Sequence, residues 1–166
     1  MFIIPVKGLG LGNHHYDFVV DDAFFEQYPE AELHHGKLNL MLDIEKESRL
    51  ITMQFHFDGS LHLACDRCLE VYEQPLQGDF RLIVKYGEKE EEISEELMTI
   101  PFDTSWFDVA PYVYEFIRLM IPIKRVHPDD ENGNPACNAA MLEKLEVYGE
   151  QQPDPRWNAL KELKIK

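Results

Sequence analysis

Two stretches of strict alternation dominate the hydrophobic pattern. In residues 37–44, Leu38, Leu40, Leu42 and Ile44 share one parity against Asn39, Met41 and Asp43, the period of a strand with one buried face. After a polar turn at 45–48, Ile51, Met53, Phe55 and Phe57 alternate with Thr52, Gln54 and His56 and predict a second strand. Asp58-Gly59 then reads as a hairpin turn, because this dipeptide accepts the positive φ angles that two-residue hairpins need. A third strand follows over 60–64. A fourth, at 79–86, sets Phe80, Leu82, Val84 and Tyr86 against Arg81, Ile83 and Lys85. Shorter strands are expected at 16–20 and 97–102. Successive strands joined by short turns predict an antiparallel meander, barrel-like if its ends meet.

Helical spacing appears later. Val109, Val113, Phe116, Ile117 and Met120 fall on one face, with Asp108 as the cap, Pro111 in the first turn and Pro122 as the stop. Asp21-Asp22 caps a brief helix through Phe24 and Phe25 that Pro29 ends. Further helices are expected at 139–148 and from Asp154-Pro155 through Trp157, Leu160 and Leu163. The fold class is therefore α+β: an antiparallel sheet meander covered by a few α-helices, one domain over 1–166 with a helical tail at 150–166. At Gly87 the composition changes, and six glutamates (Glu88, Glu90, Glu91, Glu92, Glu95 and Glu96) crowd residues 87–97. Such a run reads as an exposed, mobile acidic loop.

Composition narrows the class. A chain of 166 residues with 45% hydrophobic content can bury a core without disulfide staples. Its 31 acidic against 16 basic residues give a formal net charge of −15, which disfavours a phosphate-binding surface and suits a basic protein partner. The plainer alternative is a charge that keeps the chain dispersed. Three cysteines, an N-terminal apolar stretch cut short by Pro5 and Lys7, and no run near the ~20 apolar residues of a membrane helix predict a cytoplasmic protein with reduced thiols.

Reactive side chains at a ligand spacing concentrate at Cys65-Asp66-Arg67-Cys68. The pair lies in a turn between strand-like segments, where two thiolates can converge on one ion, and not at a helix start, where a redox pair gains its low pKa. His127 and Cys137, flanking a Pro, Asp and Gly-rich loop at 128–135, supply candidate third and fourth ligands for a structural Zn2+. The alternative is three thiols packed as small hydrophobes. The separation of Cys65 and Cys137 decides, since sulfurs more than about 7 Å apart cannot share one tetrahedral ion. Nothing else assembles a nucleophile, base and orienting acid, so no enzyme and no small-molecule substrate is predicted. His14-His15 and His34-His35 are neighbours that point to opposite faces of an extended chain. The glycines at 8, 10 and 12 lack the strand and helix of a dinucleotide site.

The hairpin entering Cys65-Asp66-Arg67-Cys68-Leu69-Glu70, the later Asp108-Val109-Ala110-Pro111 with Glu115 and Ile121-Pro122, and the closing Asp154-Pro155-Arg156-Trp157-Asn158-Ala159-Leu160-Lys161 together resemble the YceD family of bacterial and plastid proteins. The resemblance runs from about His34 to the C-terminus, in the same motif order. Many members carry further cysteines near the C-terminus, where this chain has His127 and Cys137. The resemblance implies a non-enzymatic ribosome-biogenesis role supporting accumulation of large-subunit ribosomal RNA, through a basic ribosomal protein or the precursor RNA itself. The alternative from another class is a cytosolic regulator responsive to zinc or thiol oxidation.

Overall fold

The computed structural model describes residues 2–28, 33, 35–129, 133, 136–149 and 156. The chain divides into two compact units, Met1–Leu63 with Val71–Arg125, and Ala64–Glu70 with Val126–Lys166.

The first unit is built on a six-stranded sheet. Its strands are β2 (Gly12–Val20), β3 (Gly36–Lys46), β4 (Leu50–Ala64), β5 (Val71–Gly87), β6 (Glu91–Ser94) and β7 (Leu97–Pro101), in the order β2-β3-β4-β5-β7-β6. The alternation seen along β3 and β4 becomes one buried face. Leu38, Leu40, Leu42, Ile51, Met53 and Phe55 are fully buried, and antiparallel pairing sets Leu42 opposite Phe55 and Leu40 opposite Phe57. Helix α2 (Ala110–Met120) covers that face. Its Phe116 ring stacks on Phe80 at 4.5 Å and meets Phe55 edge-on at 5.1 Å, so the helical stripe and the strand parity share one core. The helix starts one residue later than expected: Val109 takes the cap position without a side-chain cap bond, and the Asp108 carboxylate just before it accepts from the Ala110 N–H at 2.9 Å.

A smaller layer closes the N-terminal side of this unit. Strand β1 (Ile3–Ile4) pairs antiparallel with β8 (Phe107–Asp108), and Phe2 packs against Phe18 and Phe24 at 5.0 and 4.8 Å. Helix α1 (Asp22–Phe25) forms where the acidic pair suggested. However, Asp22 turns its carboxylate to the Gly36 N–H and the His35 ring instead of capping the helix. Pro29, expected to end that helix, and His34 lie outside the described residues.

Three expectations are corrected. First, Asp58-Gly59 is no hairpin turn: β4 runs unbroken through it, with Asn39 opposite Asp58 and Leu38 opposite Gly59. A Cβ on Gly59 would sit 2.2 Å from the Lys37 carbonyl oxygen, so the glycine serves close approach of two backbones inside a sheet. Second, the sheet is open and not barrel-like. Its outer strands β2 and β6 end the order, and the four-residue β6 and five-residue β7 are too short to carry a barrel closed. Third, the meander is broken, because β5 and β7 pair parallel, with Ile83 opposite Leu97 and Tyr86 opposite Ile100. The chain leaves β5 at Gly87, runs out as β6 and returns as β7 between them. Met98 and Ile100 are buried while every residue of β6 is exposed. The apolar strand therefore takes the interior position and the glutamate-rich one the edge. Residues 87–97 thus hold a short edge strand where the acidic run suggested only a loop.

The glycine-rich stretch has the wrong polarity for phosphate. Lys46 Nζ donates to the Val6 and Leu9 carbonyls at 2.6 and 2.7 Å, so carbonyl oxygens converge there on a cation, whereas a phosphate cradle presents N–H groups. In the second unit, helix α3 (Ala139–Gly149) forms near the expected bounds. The helix anticipated from Asp154 through Leu163 lies outside the described residues, Arg156 excepted. Among the described residues, no helix is long and apolar enough to cross a membrane.

Candidate metal centre

The turn between β4 and β5 is a knuckle wrapped around one sulfur. The Cys65 N–H donates to the Glu70 carbonyl at 2.9 Å, the Leu69 N–H returns to the Cys65 carbonyl at 2.8 Å, and the Arg67 N–H donates to Cys65 Sγ at 3.4 Å. Closing this turn puts Leu69 at φ 65°, left-handed backbone that costs a branched residue roughly 1–2 kcal/mol. The two cysteine sulfurs lie within 4.8 Å of each other.

His127 and Cys137 arrive from the far end of the sequence, within the same unit. Cys65 Sγ lies 3.7 Å from Cys137 Sγ, and His127 Nδ1 lies 3.5 Å from Cys68 Sγ and 3.7 Å from Cys137 Sγ. All four ligand atoms fall within 4.8 Å of one another. For metal–sulfur bonds of about 2.3 Å and metal–nitrogen bonds of about 2.0 Å, the edges of a tetrahedron are about 3.8 Å between sulfurs and about 3.5 Å between sulfur and nitrogen. These three separations match those edges, and the limit of about 7 Å is met with room to spare.

A fifth residue organises the set. Asn138 caps α3, its Oδ1 accepting from the Ala140 and Met141 N–H groups at 3.0 and 3.3 Å, while its Nδ2 donates to Glu70 Oε1 at 2.7 Å. One side chain thus anchors the residue after Cys137 both to the helix start and to the last residue of the knuckle. Sequence reasoning missed this role. An asparagine before Ala139-Ala140 is a recognisable N-cap, but its second bond, to Glu70, spans 68 positions.

The electrostatics are those of crowded thiols. Burial raises the Cys65 thiol, but backbone N–H groups of Cys68 and Arg67, with His127, outweigh it and draw the group down to about 6. Cys137 goes the other way, pushed up by burial and then by the neighbouring Cys65 and Cys68 sulfurs. One thiolate is therefore accommodated and further negative charge is resisted, a balance that a divalent cation would reverse. Burial points the same way. Cys65, Cys68 and Cys137 are 0%, 4% and 8% exposed and are the only buried residues among those described in this unit, and α3 buries none.

Among the described residues, His14 and His15 build no second site of this kind. His15 bridges Asp43 and Asp17 on the exposed sheet face at 2.7 and 3.1 Å, while His14 turns the other way to the Gly10 carbonyl. Among the described residues, the cysteine–histidine set is the only group of three or more such side chains placed to hold one ion.

Neither the curated proteins nor the solved structures include a match to this chain. The family model described as large ribosomal RNA subunit accumulation protein YceD does match, over residues 53–164. That span holds the knuckle, α2 and all four candidate ligands, and on it the chain belongs to the YceD family.

Proposed function

We propose that this chain supports accumulation of large-subunit ribosomal RNA as a non-enzymatic, cytoplasmic assembly factor that receives a basic ribosomal protein on its acidic surface. In this reading Cys65, Cys68, His127 and Cys137 hold one structural Zn2+, the ion that a closed thiolate-rich tetrahedral set favours. The observation that carries the partner is the β6 edge. Its four residues are exposed, and Glu91 and Glu96 engage Lys89 and Arg81, leaving Glu88, Glu90, Glu92 and Glu95 turned to solvent. Their field reaches inward: the Tyr112 phenol is pushed up to about 12, by burial first and then by Glu92 and Glu90. A surface of this sign attracts a lysine- and arginine-rich chain and repels RNA phosphates. Contact with precursor RNA is the weaker reading, since Lys124-Arg125 is the best adjacent cation pair at a net charge of −15.

Affinity capture from cells followed by sucrose-gradient fractionation tests the role, with association to large-subunit precursors expected. The Glu90→Gln, Glu91→Gln, Glu92→Gln triple variant tests the surface. Association of the captured ribosomal protein should slow, and its salt dependence should flatten where the Debye length falls to about 8 Å. An unchanged rate and salt slope would exclude β6 as the contact.

A further inference from the structure

We infer that Cys65 and Cys137 are the pair that peroxide oxidation joins, giving the cysteine unit a second, covalent closure that displaces its metal. The pairing stands on the thiols alone, while its consequence for the ion rests on the zinc reading above.

Cys137 Sγ meets Cys65 Sγ and His127 Nδ1 at 3.7 Å each. Cys65 Sγ faces Cys137 Sγ at 3.7 Å, whereas the Cys68 Sγ contact at 3.5 Å is with His127 Nδ1. Joining Cys65 to Cys137 needs the sulfurs to close by about 1.7 Å, to the ~2.05 Å of a disulfide. The cysteines of the knuckle lie only three positions apart, but the turn folds the Arg67 N–H against Cys65 Sγ. A bond between Cys65 and Cys68 would instead close within the knuckle and leave Cys137 unlinked.

The chemistry balances with hydrogen peroxide as the oxidant. One thiolate of the pair attacks a peroxide oxygen, the O–O bond breaks, and the departing hydroxide takes a proton to leave as water. The partner thiol then displaces the sulfenic oxygen: the S–S bond forms, the S–O bond breaks, and a second water leaves. Two thiols lose two electrons and the peroxide gains them. Only Cys68 and His127 then remain as ligands, too few for a structural tetrahedral site, so the ion departs. The fastening survives its loss, because the new bond joins positions 72 residues apart, the same two segments that the metal would bridge.

The test uses the full chain, loaded with one Zn2+ and separately stripped by chelator, each treated with equimolar hydrogen peroxide. Peptides are then mapped without reduction, and zinc release is followed with a chromogenic chelator. The expected result in both samples is a linked pair of peptides containing Cys65 and Cys137, lighter by two hydrogens and separated by a thiol reductant. In the loaded sample, about one ion is released per crosslink. A dominant Cys65–Cys68 bond, or sulfinic acids without any crosslink, would overturn the pairing. Chain that never retains zinc yet forms the Cys65–Cys137 bond would support the pairing and sink the metal reading instead. Cys68→Ser should still crosslink, and if that variant does not fold, the map of the unmodified chain decides alone.

Discussion

In the sheet unit, β3, β4 and α2 press fully buried leucine, isoleucine, methionine and phenylalanine side chains into one layer; in the cysteine unit, the buried residues among those described are three cysteines. The first kind of core draws on area removed from water, roughly 25 cal/mol per Å2 spread over many residues, and tolerates the loss of any one partly. Among its described residues the second buries little apolar area, so their stability is concentrated in whatever joins the sulfurs. Small domains without a sufficient core use metals or disulfides for this reason. The contrast teaches that one chain can place a graded, redundant core beside a nearly all-or-none one, and that the two should fail under different insults.

The largest expected effect is removal of the proposed Zn2+. In small zinc domains metal binding contributes on the order of 10 kcal/mol to folding, so chelation, or Cys137→Ser, should strip most of the hydrogen-exchange protection from the knuckle and α3. The β3 and β4 amides should keep theirs. Equal loss in both units would break the comparison. The converse insult is Phe116→Ala, which empties the site between Phe55 and Phe80. It should cost about 3–5 kcal/mol in urea unfolding followed through the sheet, with the zinc content per chain unchanged.

A smaller effect is expected from Asn138→Ala. Loss of a helix cap costs about 1 kcal/mol, and the bond to Glu70 goes with it. Zinc affinity measured by chelator competition should fall several-fold, while the sheet melts as before.

The smallest effect is a pH response of opposite sign in the two units, read on metal-free chain. Cys65 is lowered from 9.0 to about 6, so its contribution is present above 9.0 and is lost as pH falls through about 6. His15 is raised above 6.5, through the Asp43 hydrogen bond first; its contribution is complete below 6.5 and is lost as pH rises through the raised value. Protection factors in the knuckle should therefore climb with pH while those around the His15–Asp43 pair decline. Cys65→Ala and His15→Asn should each flatten one slope and leave the other.

Much of this molecule is legible in its amino-acid order, and the legible parts share a cause. Strand parity along β3 and β4, the spacing of Val113, Phe116 and Ile117, and the turn between Cys65 and Cys68 all express local geometry, in which residues two to four apart share a face or close a turn. Even Asp58-Gly59 carried a usable sign. Ile51, Met53, Phe55, Phe57, Leu61 and Leu63 keep one parity straight through it, which an unbroken strand requires. Only the fold decided that Gly59 meets the Lys37 backbone, that β7 slips in parallel beside β5, and that Asn138 ties its helix to Glu70. The same holds for the distance on which the chemistry turns. Cysteine spacing could nominate His127 and Cys137 as partners of the knuckle, but 72 positions of chain separate Cys65 from Cys137. A gap of that length is closed by packing against the cost of loop entropy, and neither is written in the order of neighbouring residues.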